Sequence, residues 1–137
     1  MTHYIDFDSL QIGDALPALT KDPITKVQLV RYAGASGDFN PLHTDDQVAL
    51  AAGMKGVIAQ GILIMGFMGQ AISGWVQLRH LKRFKVRFKG VTYPGDVITV
   101  KAWSGKAMCQ AKGRSSCATS SLKIRTGKPR FLENLRC

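Results

Sequence analysis

A chain of 137 residues that is 45% hydrophobic and 20% charged has the length and composition of one globular domain with a single core. Its formal net charge of +10 invites a nucleic-acid reading, but residues 101–137 supply eight of those charges, nine Lys or Arg against Glu133 alone. No phosphate loop, dinucleotide-type glycine pattern or aromatic RNA-binding signature occurs, and nucleic-acid binding is not expected.

The N-terminal residues lack the basic region and apolar run of a secretory signal, so a cytoplasmic protein is expected. Leu10, Ile12 and Leu16 flank Gly13-Asp14, a bend leading into a first strand. Thr25 and Gln28 have capping-box spacing, and Val27, Val30 and Gly34 then recur at helical intervals. That helix ends at Gly37, which accepts a left-handed conformation without strain. Thr44 and Gln47 repeat the capping-box spacing and open a short helix closed by Gly53.

Residues 57–75 are the longest apolar stretch, but Gln60, Gln70, Ser73 and four glycines interrupt it. It reads as a core helix over residues 61–73, apolar on nearly every side, rather than a membrane span. Gly66, Gly69 and Ser73 share a face that permits close approach, at roughly 1 kcal/mol of helix propensity per glycine. From Arg83 the period becomes two: Phe84, Val86 and Phe88 alternate with Arg83, Lys85, Arg87 and Lys89, a half-buried strand with a basic outer face. A turn at Tyr93-Pro94-Gly95-Asp96 leads to a second strand over residues 97–103, completing a hairpin. Beyond Trp103 alternation is poor. No metal-ligand spacing links His3, His43 and His80, and Cys109, Cys117 and Cys137 form no C-x-x-C pair, so no metal site is expected and the thiols read as free.

Chemistry concentrates in residues 31–43. Pro41 cannot sit inside a helix and forces Asn40 out of the helical region, so Asp38 and His43 lie on either side of a bend. Asp38 and Asn40 can each accept from nearby backbone N–H groups and hold that bend locally. Taken alone, Asp38 is also an ordinary turn residue and His43 an ordinary packed histidine.

The wider pattern, Tyr32-x-x-x-Ser36-Gly37-Asp38-x-Asn40-Pro41-Leu42-His43 followed by Gly56-Val57-Ile58-Ala59-Gln60-Gly61, resembles the MaoC-type hydratase and dehydratase family. The likeness runs over about residues 5–103 of a single domain spanning 1–137. It implies an α+β hot-dog fold, a central helix wrapped by an antiparallel sheet, in a homodimer or higher homo-oligomer. It further implies reversible hydration of trans-2-enoyl thioesters carried on coenzyme A or acyl carrier protein, with no cofactor beyond that carrier. Asp38 and His43 would then share one water, and the Gly61 N–H would face the thioester oxygen. Ser36, Asn40, Gln60 and Gly69 would lie on the substrate side, with Met65, Met68 and Trp75 setting pocket depth and the basic residues 83–89 near phosphates.

The chain departs from that family in two places. Gln60 stands where the family commonly has His, and the sequence after Trp103 no longer follows the pattern, as a shifted reading frame would produce. A non-catalytic acyl-thioester-binding subunit is the competing reading. A hot-dog thioesterase is a weaker one, because those enzymes usually carry a carboxylate on the central helix and residues 61–73 have none.

Overall fold

Thr25 starts the first helix as its spacing implies: its side-chain oxygen accepts from the Gln28 N–H at 3.1 Å and α1 runs Lys26–Ser36. Gly37, at φ 74°, ends it in the left-handed region, and its N–H returns to the Ala33 carbonyl. A 3₁₀ turn, Pro41–His43, follows with Pro41 at its start. Helix α2 is Asp46–Ala51, and its cap is Asp45 rather than Thr44; the Asp45 carboxylate accepts from both the Gln47 and Val48 N–H groups. Helix α3 spans Gly61–Trp75. The structure, a computed structural model, describes residues 5–6, 9–81, 83–88, 90–104, 124–126 and 131–132. His3, Lys89, the three cysteines and most of the basic tail lie outside them.

Strands β1 (Leu19–Thr20), β2 (Ile98–Val100), β3 (Ile124–Thr126) and β4 (Phe131–Leu132) form one antiparallel sheet in that order. Leu19 faces Val100, Ile98 faces Thr126 and Ile124 faces Leu132. The pairing of the N-terminal segment with β2 extends outward through Leu16 N–H to Ala102 O (2.8 Å) and a bridge between Ala15 and Trp103.

The expected hairpin between residues 83–89 and 97–103 does not form. Both edges of β2 are taken, one by β1 and the other by β3, so no ladder position remains for residues 83–88. Those residues instead run without a strand partner among the described residues. Phe84 and Val86 pack against the core while Arg83, Lys85 and Arg87 stay exposed, but Phe88, expected on the inner face, is 44% exposed, so the alternation gave the correct face for Phe84 and Val86 and the wrong partner for the strand.

Helix α3 buries Leu63, Ile64, Phe67, Met68, Ala71, Ile72 and Trp75, and it packs against β2, whose Ile98 and Val100 are fully buried. Leu29 of α1, Ile24 and Val57 complete this core. The helix is not enclosed on every side within one chain: Ile62, Gly66, Gln70 and Gly74 form an exposed stripe at intervals of four. Nothing approaches Gly66 among the described residues, whereas Gly69 meets the Phe84 ring. The Trp75 indole N–H donates to the Pro17 carbonyl at 2.9 Å, which ties the end of α3 to the N-terminal segment. This helix-on-sheet arrangement is the hot-dog form of an α+β fold.

Met68 of α3 is fully buried in the core. Met68→Ala is expected to cost about 2–5 kcal/mol by leaving a cavity. A thermal melt should show this as a midpoint lowered by roughly 10 °C.

Candidate active site

The turn after α1 is held by a relay of short-range bonds. Ser36 donates its hydroxyl to the Tyr32 carbonyl (2.7 Å) and accepts from the Asp38 N–H (3.3 Å). Asp38 Oδ1 accepts from the Asn40 N–H (3.4 Å), and Asn40 Oδ1 accepts from the Leu42 N–H (3.0 Å), capping the 3₁₀ turn. These bonds use Ser36 and Asn40 to shape backbone, and neither residue lines the adjoining cavity. What they place is the pair: Asp38 Oδ2 lies 3.5 Å from His43 Nε2, with the carboxylate half-exposed and the imidazole nearly buried.

The other ring nitrogen decides what the pair can do. His43 Nδ1 is 2.8 Å from the Ile58 carbonyl oxygen. A carbonyl only accepts, so Nδ1 carries the hydrogen, and in the neutral ring the lone pair sits on Nε2. Nε2 and the Asp38 carboxylate are then two acceptors facing each other across a gap long for a direct bond. The small molecule that satisfies both is a two-donor one, water.

The segment that supplies this carbonyl is tied to three other parts of the fold. The Ile58 N–H donates to the Leu42 carbonyl (3.0 Å) and the Ala59 N–H to the Thr92 carbonyl (2.8 Å). The Gln60 side-chain amide, 1% exposed, donates to the Leu29 carbonyl of α1 at 3.1 Å. Gln60 therefore points into the core, anchors the loop before α3 and does not line the cavity; its Oε1 is buried without a protein partner. Next comes Gly61, first residue of α3, whose N–H lies outside the helix's own ladder at the positive end of the helix dipole.

His43 and Gly61 open onto one cavity of about 920 Å³, with Val57, Ile64, Phe88 and Val91 among its apolar walls. Its volume suits a small-molecule ligand group. Of the other residues singled out from sequence, Gly69 lies against Phe84 away from the cavity. Met68 and Trp75 are core residues, and neither they nor Met65 line it. Among the described residues the cations that do so are Lys26 and Lys55, not Arg83, Lys85 or Arg87. The sequence reading missed Phe88, Lys26, Lys55, Asp46 and the Ile58 carbonyl as parts of the site. Among the described residues no cluster of His, Cys, Asp or Glu could hold a metal ion.

Asp46 also lines the cavity. It pairs with Lys26 of α1 and accepts from the Val57 N–H at 3.0 Å. The bond from Lys26, aided by that from Val57, holds the Asp46 carboxyl below its ordinary value. Gly56 beside it has φ 141°, a backbone conformation that favours glycine, and a Cβ there would stand a tight 3.1 Å from Asp46 Oδ1.

A MaoC like domain matches residues 9–126. The chain belongs to the MaoC-like family. Over 102 residues it is 33% identical to a peroxisomal hydratase-dehydrogenase-epimerase of Neurospora crassa, covering 70% of this chain and 11% of that one. Over 84 residues it is 36% identical to an enoyl-CoA hydratase of Mycobacterium tuberculosis, covering 59% and 29% respectively. The chain thus spans under a third of either relative. Among solved structures it is similar to a MaoC-like dehydratase, with TM-score 0.79 and 27% identity over 95% of this chain and 40% of that one. An (R)-hydratase from A. caviae shares the fold at TM-score 0.69 and 24% identity, covering 90% of this chain and 91% of that one. No helix among the described residues is long and apolar enough to cross a membrane.

Asp46→Asn keeps an acceptor for Val57 and removes the charge. Because the folded carboxyl titrates below its ordinary value of 3.8, its contribution to stability is present above that pH. It is lost as pH falls through the lower folded value. The variant is therefore expected to melt below the wild type at neutral pH, with the difference closing below pH 3.8, as thermal melts across that range would show.

Proposed function

We propose that this domain adds water reversibly to trans-2-enoyl thioesters, giving 3-hydroxyacyl thioesters. The reading is carried by one observation: Asp38 stands 3.5 Å from His43, whose imidazole hydrogen is committed to Ile58, and His43 lines one cavity with Gly61 at the N-terminus of α3, Asp38 itself lying behind the imidazole and outside the lining. The hydratase names of the relatives support it.

The two acceptors hold the two hydrogens of one water and turn its oxygen lone pair toward the substrate's β-carbon. As the C–O bond forms, Asp38 assists loss of one proton, which His43 takes up and relays. The electrons of the carbon–carbon double bond shift to the thioester oxygen. Gly61 N–H and the dipole of α3 stabilise that developing charge. Transfer of the relayed proton to the α-carbon completes the addition, and the reverse path is dehydration. No cofactor is required; coenzyme A or an acyl carrier protein is the handle on the substrate. A carboxylate nucleophile or base of the thioesterase kind is absent from residues 61–75.

A second copy of the chain is the proposed partner in a homodimer. Supporting it, Phe39 in the catalytic turn and Ile62 at the start of α3 are 69% and 57% exposed, large apolar groups beside the site. Light scattering after gel filtration should return twice the chain mass; the mass of one chain would overturn this.

Loss of crotonyl-CoA absorbance measures hydration directly. Asp38→Asn and His43→Ala are each expected to lower kcat by about 10²- to 10⁴-fold with folding intact. A wild-type protein that binds the thioester without turnover would overturn the enzyme reading in favour of a binding subunit.

A further inference from the structure

Among the described residues Gln60 is the one polar residue that is fully buried, and it is buried at a loss. Its Oε1 has no protein partner, and an unpaired acceptor inside a core costs more than the single bond from its Nε2 to the Leu29 carbonyl returns. The side chain does not cap α3 either, since it makes no bond to the N–H groups of the helix. A leucine or methionine would fill similar space without the penalty. Stability therefore does not account for the amide, but its place in the chain does.

The peptide that joins Gln60 to Gly61 carries the N–H proposed to bind the thioester oxygen. That peptide is trans and planar, so its N–H points opposite to the Gln60 carbonyl. The carbonyl accepts from the Leu63 (3.1 Å) and Ile64 (3.4 Å) N–H groups and so lies along α3. The Gly61 N–H accordingly points out of the helix, and no protein acceptor takes it among the described residues. Those two bonds share one oxygen and hold only that end of the peptide. The other end is the Cα of Gln60, which at φ −58° and ψ 130° stands outside the helical conformation. It is held by the bond from the preceding Ala59 N–H to the Thr92 carbonyl (2.8 Å) and by the amide's bond to Leu29, itself fully buried in α1. Rotation about the Cα–C bond of Gln60 swings the Gly61 N–H off the line to its acceptor, and a hydrogen bond weakens steeply as that angle closes.

Resting on the hydratase reading, we propose that Gln60 is a positioning residue that, through its bond to α1, keeps the Gly61 N–H aimed at the developing thioester oxyanion. It lies outside the cavity lining, touches no substrate and moves no proton. The charge that this N–H meets develops in the transition state, so loss of the alignment falls on kcat and leaves KM nearly unchanged.

The test measures crotonyl-CoA hydration and thermal melting for the wild type, Gln60→Leu, Gln60→Met and Gln60→His. Leucine and methionine remove the bond and the unpaired oxygen together. Both variants are expected to melt at or above the wild type, yet to lose about 10- to 100-fold in kcat, less than the complete removal of an oxyanion donor costs. Their pH profiles of kcat should match that of the wild type, because Asp38 and His43 are untouched. Gln60→His carries an N–H as many bonds from Cα as the amide's and is expected to recover most of the lost kcat. Unchanged kcat in the folded leucine and methionine variants overturns the inference, as does a loss confined to KM, a loss of kcat that follows a lowered melting point, or a histidine variant no faster than the leucine one. A displaced pH profile also overturns it, by placing the effect on His43 through Ile58. Failure of both apolar variants to fold assigns the amide to folding and overturns it too. The hydratase reading survives each of these results; a wild type inert toward crotonyl-CoA overturns both.

Discussion

The bond from His43 Nδ1 to the Ile58 carbonyl is the constraint on which the site depends. It fixes which nitrogen faces Asp38 and fastens the turn after α1 to the loop before α3. Without it the ring could turn about its own axis, and the carboxylate would meet a nitrogen of unspecified proton state. The residues that hold Ile58 thus matter as much as those that hold His43: Leu42 and Thr92 through backbone and Leu29 through the buried amide of Gln60.

Gln60 shows how such support works at some cost. Burying an amide oxygen without a partner disfavours the folded state by about 1–3 kcal/mol, while the bond from its nitrogen to Leu29 returns only about 0.5–1.5 kcal/mol. A leucine of similar size would avoid the penalty but leave the loop tied to α1 by packing alone. The amide gives direction that an apolar contact lacks, and it orients the peptide preceding Gly61. Proton transfer needs no part of it.

The elements written in local chemistry were legible in the sequence. Thr25, Gly37, Asn40 and Pro41 each act on backbone within four residues, and the positions of α1 and of the Asp38–His43 bend followed from them. Thr44 and Asp45 are both capping types side by side, and only the charged one accepts two N–H groups, a distinction that spacing does not make. Alternation over residues 83–88 identified Phe84 and Val86 as facing inward, though not the exposed Phe88, and says nothing about which edge a strand joins. That depended on β1 and β3 reaching β2 first, a fact about distant pairings. The Ile58 carbonyl had no signature at all, since every residue has a carbonyl. Lys26 and Lys55 were missed because the cavity lining gathers the start of α1 and the loop after α2, which no linear pattern joins.

The middle position of β2 in the sheet has a further meaning for how the molecule is made. Leu19 finds its partner only when Val100 has left the ribosome, and the far edge of β2 stays open until residues 124–126 arrive. Helices α1 to α3, with the Asp38 and His43 turn, emerge earlier but have no sheet to rest on. Pairings so distant in the chain form slowly and expose unpaired edges meanwhile. Completion of the site is therefore an event of late synthesis, and a nascent chain arrested before β3 holds every proposed proton-handling group without the scaffold that aligns them.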